Sequence, residues 1–383
     1  MNRKKIYEGQ KLKIVQFGHK RMPSREGGIE IVVEELTTRM VEKGHKVTVI
    51  NRKGHHVSGT EFDEKIQKEF KGVKITSVPT IDKKGLAAVS SAFFATIKAT
   101  FGNFDIVHIH AEGPAAFCWI PKMFNKKIIC TCHGIDFLRP RWKGTLGGRF
   151  IHYGEKMMAK YADAIIVLSK GVQEYFLKTY GRETVLILNG VTRPKYQKDE
   201  IITQKYGLKE EDFFLTLCRL TQEKCIHILI EAYKEIKTDK KLVIAGGSSD
   251  SDEYVRYLHQ LAKDDCRIIF TGFIQGQELA ELYSNAYVYV LPSELEGMPL
   301  SLLEAMSYGN CCLTSDIPEN TDVIDDYGIS FKTNDREDLK QKLQELADDP
   351  KQVQQYKEKA SDYICDKCNW DEVTNRTLQL YYE

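Results

Sequence analysis

The chain lacks any long apolar run. Its longest weakly polar stretch, residues 86–97, is rich in alanine and serine and is too short to span a bilayer. Residues 1–8 are charged and lack the apolar core of a signal peptide, so no secretory leader is expected. Low-complexity tracts are also absent. With apolar and charged fractions of 42% and 28%, the composition indicates a soluble globular protein.

Several chemical signatures are missing as well. The ten cysteines are scattered, mostly in apolar runs, which fits a reduced cytosol better than a disulfide framework. Cys365 and Cys368 form a lone C-x-x-C pair, which we interpret as structural. No histidine or cysteine cluster has zinc spacing, so no metal is expected. There is no G-x-G-x-x-G motif and no aromatic-basic RNA motif, which argues against a dinucleotide cofactor and against nucleic-acid binding.

The patterns that are present predict alternating strands and helices. Residues 13–17 are apolar, residues 29–43 have helical periodicity ended by Gly44, and residues 47–50 are apolar again. This βαβ unit predicts a parallel sheet. Further apolar runs occur at residues 106–109, 127–130, 164–168, 185–188, 214–217, 242–245, 268–270 and 287–290. Since 383 residues exceed one ordinary core, we expect two such domains, joined by a polar linker at residues 193–202.

Two glutamates in residues 292–306, PSELEGMPLSLLEAM, form the most informative motif. Glu296 precedes a Gly-x-Pro turn, and Glu304 is expected a little over two turns into the helix that follows. The helix N-terminus between them would present unpaired N–H groups and a partial positive charge, which suits a diphosphate. One acid could then reach a sugar and the other a ribose. An ordinary buried helix is the alternative interpretation.

This segment closely resembles the donor-binding signature of retaining nucleotide-sugar glycosyltransferases of family 4. The resemblance covers nearly the whole chain and implies an α/β fold of GT-B type, with two Rossmann-like domains whose parallel sheets face an interdomain cleft. It implies that Glu304 holds the ribose hydroxyls and Glu296 the donor sugar. The other donor-binding residues implied here are Gly297, Met298, Pro299 and Leu300. After Met306 the family usually continues Ala-x-Gly-x-Pro-Val, whereas residues 307–312 read SYGNCC, so we expect this turn to be built differently.

Arg219 and Lys224 follow the predicted strand at residues 214–217. A departing nucleoside diphosphate gains negative charge, which a guanidinium and an ammonium can neutralise. The spacing resembles the family pattern Arg-x-x-x-x-Lys, which is usually followed by glycine. Cys225 stands there instead, which should alter loop flexibility without removing the charge. A solvated surface is the alternative interpretation.

Glycines at the ends of other elements complete the expected donor site. Gly27 and Gly28 end the first loop and open the first helix, where a backbone can approach phosphate closely, although a simple turn would also explain them. Gly246 and Gly272 end predicted strands, and their segments resemble those that line the diphosphate and base in this family. Residues 248–250 are poorer in glycine and proline than usual, which argues against a contact there.

His133 directly follows a predicted strand, so it should lie at the carboxyl end of the parallel sheet. It could hydrogen-bond a sugar hydroxyl or help to position the reacting centre. The H-G-x-D grouping resembles the first-domain site motif of the family, and on that basis His133 is assigned to the site. Asp136 could orient His133 or cap a helix.

The acceptor side is expected in a basic-aromatic segment near residues 139–143. Residues 18–23 resemble those of bacterial capsule and cell-surface polysaccharide transferases, and the run at residues 86–97 could help to hold a lipid phosphate. Residues 1–190 hold 32 Lys+Arg against 18 Asp+Glu, and the remainder 23 against 36, so the basic half should face an anionic partner. A basic nucleotide-sugar site without membrane contact is the alternative. The candidate acceptor residues are Arg25, Asp136, Arg139, Arg141 and Trp142.

The predicted organisation is an acceptor-binding domain at residues 1–192, joined by a C-terminal helix at 368–383, and a nucleotide-sugar-binding domain at 193–367. The predicted protein is a retaining, metal-independent glycosyltransferase without a cofactor, acting on a saccharide or polyprenyl-phosphate-linked acceptor in bacterial surface polysaccharide synthesis. It is expected in the cytoplasm, with contact to the inner face of the cell membrane left open. A sugar-nucleotide epimerase and a non-catalytic nucleotide-sugar-binding subunit are the alternatives.

Overall fold

The computed structural model describes residues 6–25, 27–53, 67–81, 83, 85–247 and 252–383. The segment 248–250, for which the sequence argues against a ligand contact, lies outside the described residues. The chain divides into two compact units. The first comprises Met1–Asn189 and Trp370–Glu383, and the second comprises Gly190–Asn369.

The first unit is built on an eight-stranded sheet with the strand order β3-β4-β2-β1-β5-β6-β7-β8. All neighbouring strands are parallel except the short β3, which is antiparallel to β4. The strands are β1 (Lys13–Phe17), β2 (Lys46–Arg52), β3 (Glu69–Phe70), β4 (Val73–Val78), β5 (Ile106–His110), β6 (Lys127–Cys132), β7 (Ala164–Val167) and β8 (Val185–Leu186).

Helices cover this sheet, as burial of nearly all residues in β5 and β6 requires. They are α1 (Gly28–Glu42), α2 (Leu86–Phe101), α3 (Glu112–Ala115), α4 (Trp119–Met123), α5 (Leu146–Tyr161), α6 (Lys170–Tyr180) and, from the far end of the chain, α15 (Trp370–Tyr382). Gly44 follows α1 with a positive φ of 86°, which confirms it as the residue that ends this helix.

The second unit has a six-stranded, all-parallel sheet with the order β11-β10-β9-β12-β13-β14. The strands are β9 (Phe213–Leu217), β10 (Lys241–Ala245), β11 (Ile268–Gly272), β12 (Val288–Leu291), β13 (Cys311–Ser315) and β14 (Ile329–Phe331). The helices are α7 (Glu200–Tyr206), α8 (Ile226–Lys234), α9 (Asp252–Ala262), α10 (Gly276–Asn285), α11 (Leu300–Ser307), α12 (Pro318–Ile324), α13 (Arg336–Asp348) and α14 (Pro350–Lys367). Two parallel-sheet Rossmann-like units confirm the predicted fold class.

The polar segment predicted as a linker, residues 193–202, is helical in its last three residues because α7 begins at Glu200. The carboxylate of Glu281, from α10, accepts hydrogen bonds from the backbone N–H groups of Ile201 (2.7 Å) and Ile202 (3.1 Å). A carboxylate at this position satisfies N–H groups that would otherwise lack partners. The cap comes from eighty residues away, so the local sequence did not show it.

The run at residues 86–97 forms most of α2. Within the part of the chain that the structure describes, no helix is both long and apolar enough to cross a membrane. Cys365 and Cys368 are buried free thiols at the end of α14, consistent with a structural role.

Candidate active site

The loops that follow β9 and β12 bring Lys224 and Glu296 together. These two strands are neighbours in the sheet of the second unit and run parallel, so their carboxyl ends lie at the same edge, where ligands bind in open α/β sheets. Lys224 Nζ lies 2.5 Å from Glu296 Oε1, and the two side chains are only 10% and 9% exposed. Residues predicted to act on different parts of the donor therefore form one ion pair.

Cys225 explains why glycine is usual after this lysine. Its backbone has φ 53° and ψ 30°, the left-handed conformation, between a 3-10 turn at Gln222–Lys224 and the start of α8. This conformation favours glycine because a Cβ crowds the following carbonyl. The Cys225 side chain is buried, and Sγ lies 3.5 Å from Asn334 Oδ1. Cysteine thus occupies a strained conformation that favours glycine, and the expected change in loop flexibility stays a prediction.

Arg219 lies just beyond β9 and is partly buried. Its guanidinium makes no ion pair with the described residues. The hydrogen bond from Thr221 N to the Arg219 carbonyl (2.9 Å) orders the loop that carries it. Arg219 is therefore a cation at the same sheet edge as Lys224 that is available to an anionic ligand.

Glu304 lies closer to its helix N-terminus than expected. Because α11 begins only at Leu300, after Pro299 at the N-cap position, Glu304 is the fifth residue of the helix and not one a little over two turns in. The Gly-x-Pro segment, residues 297–299, is buried and not helical, with Pro299 extended, so it takes up the first part of the spacing. Glu304 thus lies just over one turn from the N–H groups of α11, on a partly buried face.

Tyr283, on α10, contacts Glu304 and was missed by sequence reasoning. Its hydroxyl lies 3.3 Å from Glu304 Oε2 and 3.2 Å from the Ser301 carbonyl. The ring is buried and stacks on Tyr308 at 5.3 Å between centroids. Burial, with the nearby Glu304 charge, raises the pKa of Tyr283 well above its ordinary value, so the hydroxyl keeps its proton and can donate. No local motif marks Tyr283, because only the packing of α10 on α11 makes it relevant.

The turn after α11 is held by the side chain of Asn310. Its side-chain Nδ2 donates to the carbonyls of Tyr283 (2.8 Å) and Ala305 (3.0 Å). These bonds tie the C-terminal end of α11 to α10, while Gly309 supplies a positive φ of 80°. Cys311 and Cys312 are then buried in β13. A side-chain amide thus stabilises the turn in which the family usually has proline.

The predicted donor-site glycines lie at element ends in both units. Gly27 is the N-cap residue of α1, which begins at Gly28. Gly272 is the last residue of β11 and has φ 70°. At Gly246 a Cβ would lie 1.8 Å from the Cys218 carbonyl oxygen, so no other residue fits there. This close approach explains Gly246 structurally, and its contact with a ligand stays a prediction.

In the first unit, His133 follows β6 and joins two other imidazoles, His108 and His110, from β5. The ring centroids of His108 and His110 are 4.3 Å apart, and those of His110 and His133 are 5.4 Å apart. Burial lowers the pKa of His133 to about 4, against the raising effect of Asp136 and Glu30. Burial likewise lowers the pKa of His108 to about 3 and that of His110 well below its ordinary value. All three rings are therefore neutral at physiological pH.

A chain of hydrogen bonds links this cluster to the C-terminal helix. His133 Nε2 lies 3.1 Å from His110 Nδ1, and His110 Nε2 lies 3.0 Å from Gln16 Oε1. Gln16 Nε2 is 3.4 Å from the Tyr381 hydroxyl, which lies 2.6 Å from His108 Nδ1. The His133 side chain is therefore held by residues from β1, β5 and α15, a set that no local motif indicates.

The predicted acceptor residues are largely engaged with each other. Asp136 opens a 3-10 turn and pairs with Arg139 at 2.8 Å, while the Arg141 guanidinium lies 4.4 Å from the centroid of the Trp142 ring. Arg25 lies 3.7 Å from a Glu35 oxygen, on α1. Four of the five thus share one segment. An acceptor role for any of them stays a prediction.

Arg52 and His19, which sequence reasoning missed, line a small cavity at the carboxyl edge of the first sheet. Arg52 ends β2; its backbone N–H donates to the Lys20 carbonyl at 2.8 Å, and its guanidinium lies 3.4 Å from the Gly18 carbonyl. His19 is 2% exposed; its Nε2 lies 2.8 Å from Asn51 Oδ1, and its Nδ1 is enclosed without a partner. Arg52 ends the strand next to β1, where the strand order reverses, and ligands often bind at such a point. This position is a signal from which Arg52 could have been predicted as a site residue.

The neutral imidazoles predict acid sensitivity of the first unit. An unfolded histidine with its ordinary pKa of 6.5 takes up a proton before folded His108 does. The contribution of His108 to the free energy of unfolding is therefore fully present above pH 6.5 and is lost as the pH falls. For His108 alone the loss between pH 7.5 and 5 is about 2 kcal/mol. Replacing His108 with glutamine should reduce the pH dependence of urea unfolding by roughly this amount.

His227→Gln, in the second unit, is the control for this measurement.

Glu112 is buried, and its raised pKa stabilises the fold on acidification, so its effect on the pH dependence is opposite to that of the histidines. The wild type and the His108→Gln variant share this opposing contribution, and their difference isolates the imidazole. Equal pH slopes for the two proteins would contradict the buried neutral state of His108.

Comparison with known proteins agrees with this architecture. Residues 26–193 match the family model described as Glycosyltransferase Family 4, and residues 198–363 match the model described as Glycosyl transferases group 1. A protein of Methanocaldococcus jannaschii described as an uncharacterized glycosyltransferase is 23% identical, covering 97% of this chain and 98% of its own length. The Salmonella typhimurium O-antigen chain mannosyltransferase RfbU is 25% identical, covering 64% of this chain and 72% of its own length.

Among solved structures, Anabaena HepE in complex with UDP-glucose superposes with a TM-score of 0.79 at 15% identity, covering 96% of this chain and 98% of that one. A likeness at this identity concerns the fold, which is the GT-B fold. The two units therefore carry a Glycosyltransferase Family 4 domain and a Glycosyl transferases group 1 domain, one in each half of the chain. These findings support glycosyltransferase activity.

Proposed function

We propose that the protein is a retaining, metal-independent glycosyltransferase. It transfers a hexosyl or deoxyhexosyl group from a nucleoside diphosphate sugar to a hydroxyl of a saccharide or lipid-linked saccharide in bacterial surface polysaccharide synthesis. The observation that carries the proposal is the Lys224–Glu296 ion pair at the carboxyl edge of the second sheet. Glu296 lies in the same motif as the N-terminus of α11, and Lys224 lies five residues after Arg219.

The charges of the second unit suit a diphosphate leaving group. Lys224 has three N–H donors, so it can keep its bond to Glu296 while another N–H meets a phosphate oxygen. Arg219 can bind phosphate bidentately, and the N–H groups that begin α11 favour an anion. These fixed positive groups would stabilise negative charge as it develops on the diphosphate, which is the task that a divalent cation performs elsewhere. Removing divalent ions with a chelator should therefore leave turnover unchanged.

In the proposed reaction the bond between the anomeric carbon and the diphosphate oxygen breaks. The acceptor oxygen bonds to the same face of that carbon, and its proton passes to the leaving diphosphate. Glu296 then acts by holding the donor sugar and Lys224, and Glu304 holds the ribose hydroxyls. His133 is assigned a sugar hydroxyl. Attack by Glu296 as a covalent nucleophile is disfavoured, because its carboxylate is already paired with Lys224.

A ligand panel and a product analysis test this function. A donor that binds the folded state raises the unfolding midpoint according to RT ln(1 + [L]/Kd), so UDP, GDP, dTDP and ADP with their common sugar conjugates should yield one clear responder. NMR of the product made from that donor and a saccharide acceptor should show the anomeric configuration of the donor. An inverted product would refute retention. Epimer formed without acceptor, or binding without any transfer, would replace the proposal with one of the alternative functions.

Exposed apolar side chains on the first unit support a lipid-linked acceptor at a membrane surface. They lie on α2 and on or just after α4, where the rings of Phe101 and Phe124 pack edge to face with centroids 5.0 Å apart. Exposed fractions are 39% for Phe93, 38% for Phe94, 67% for Phe101, 71% for Met123 and 52% for Phe124. Aromatic rings and thioethers of this kind can insert at the headgroup boundary, and lysine and arginine strengthen attraction to anionic lipids.

The double substitution Met123→Asp with Phe124→Asp should lower the fraction bound to phosphatidylglycerol vesicles by about tenfold, since each removes apolar area from the membrane contact. Flotation of protein with vesicles measures this fraction. Tyr257→Asp is the matched control, because Tyr257 is 46% exposed but lies in the second unit. Equal flotation of all three proteins would refute the membrane contact and leave the proposed transfer reaction untouched.

A further inference from the structure

The hydrogen-bond chain that ends at His133 has a direction. Each imidazole in it is neutral and therefore has one N–H donor and one bare nitrogen acceptor. Consequently, once one hydrogen atom between Gln16 and His133 is located, the others in this part of the chain follow. Two assignments exist for it, and they differ in whether the Gln16 amide presents its oxygen or its nitrogen to His110.

Met40 decides between them. Its sulfur lies 3.5 Å from the Gln16 Nε2 position, and a thioether sulfur accepts hydrogen bonds but cannot donate one. The amide nitrogen of Gln16 must therefore face Met40 and the Tyr381 hydroxyl, and the amide oxygen must face His110 Nε2. With the reverse orientation, the Gln16 oxygen would face a sulfur lone pair.

The hydrogens between Gln16 and His133 follow from this orientation. His110 donates from Nε2 to Gln16, so its Nδ1 is bare and can only accept from His133 Nε2. In the other branch, the Tyr381 hydroxyl lies 2.6 Å from His108 Nδ1 and the Thr131 hydroxyl lies 2.7 Å from His108 Nε2; a hydroxyl can donate or accept, and neither choice affects His133. His133 is thereby the Nε2–H tautomer, since the bond made by one ring nitrogen sets the state of the other.

The second nitrogen of His133 is the one that a ligand can reach. Nδ1 makes no hydrogen bond with the described residues and, unlike Nδ1 of His19, is not enclosed by protein. We propose that Gln16, oriented by Met40 and Tyr381, is a positioning residue that presents His133 to the substrate as a hydrogen-bond acceptor through Nδ1. The matching ligand group is a hydroxyl that donates its hydrogen, and a group that only accepts is rejected. This specificity rests on the proposed sugar-transfer function.

Nitrogen NMR on the resting protein tests the tautomer without any assay of activity. Long-range proton–nitrogen spectra are recorded for the wild type and for His133→Gln, both with 15N-labelled histidine. The signals that are present in the wild type and missing in the variant belong to His133. At pH 7.5 the wild type should show a protonated Nε2 and a bare Nδ1. A His133 that carries its hydrogen on Nδ1, or that averages between both tautomers, would overturn the proposal.

Two substitutions then test the origin of this state. Gln16→Leu removes the only acceptor for His110 Nε2 among the described residues, so His110 should move its hydrogen to Nδ1 and donate it to His133, which inverts the His133 tautomer. Tyr381→Phe removes one of the two groups that orient Gln16 and should give a mixture. Tyr382→Phe is the matched control, because the neighbouring hydroxyl donates instead to the Gln10 carbonyl at 3.0 Å. An unchanged tautomer in Gln16→Leu would show that Gln16 does not position His133; if that variant does not fold, an unchanged tautomer in Tyr381→Phe decides against the proposal.

Kinetics separate positioning from a merely structural role. With the wild type active, Gln16→Leu should lower kcat by about tenfold or more while the affinity for the free nucleoside diphosphate, held by the second unit, stays within twofold. Equal kcat values would overturn the proposed presentation of His133 to substrate. If the wild type transfers no sugar to any acceptor, the proposed function fails, whereas the tautomer measurement still decides the state of His133.

Discussion

Replacing Lys224 with alanine is expected to lower turnover by about 100- to 1,000-fold, because it removes a fixed positive charge from the place where the leaving diphosphate gains negative charge. Binding of the free nucleoside diphosphate should weaken far less, because Arg219 and the N-terminus of α11 remain. Steady-state kinetics with the identified donor, together with calorimetric binding of the nucleotide, measure the two effects separately.

Lys340→Ala is the matched control, since Lys340, on α13, also pairs with a glutamate, at 3.1 Å from Glu235, but these two side chains are 30% and 42% exposed. Its turnover should equal that of the wild type. Because Lys224→Ala leaves the nearly buried Glu296 without its partner, the fold of the variant must be checked by circular dichroism. Near-normal turnover in a folded Lys224→Ala protein would remove Lys224 from the mechanism.

Replacing Glu304 with glutamine is expected to weaken donor binding by about 10- to 100-fold. A carboxylate can accept from both ribose hydroxyls, whereas an amide offers one accepting oxygen, and hydrogen bonds to a charged group contribute about 1.5–3 kcal/mol. Calorimetry with the nucleoside diphosphate gives the affinity directly. The same nucleotide with 2′-deoxyribose should lose affinity for the wild type and much less for the variant, which ties the effect to the ribose.

Tyr283→Phe should also weaken donor binding, but by a smaller factor than Glu304→Gln. It removes the hydroxyl that lies 3.3 Å from Glu304 Oε2 while keeping the ring that stacks on Tyr308. Donor affinity should fall several-fold, less than in Glu304→Gln. The control is Glu345→Gln on α13, where the carboxylate pairs with Lys342 at 2.9 Å on an exposed surface. If Glu304→Gln bound ribose and deoxyribose nucleotides as the wild type does, Glu304 would have no role in holding the ribose.

The same segment shows how far sequence patterns can place a site. The Gly-x-Pro turn and the apolar run after it predicted a loop glutamate followed by a helical glutamate, and both are present. The start of α11 was predicted too early, because residues 297–299 are buried in a non-helical conformation before the helix. The ion pair between Lys224 and Glu296 was also missed, since the two residues are 72 positions apart and meet only because β9 and β12 are adjacent.

Local patterns in the chain were sufficient for the α/β class and for most strands, because each of these depends on periodicity or spacing within one element. The packing of distant elements decided the rest: the Glu281 cap on α7, the Tyr283 contact with Glu304, and the orientation of His133 by Gln16 and Tyr381. Hydrogen bonds have direction and short range, so their partners depend on which strands become neighbours, and strand order is not encoded in any single stretch of sequence.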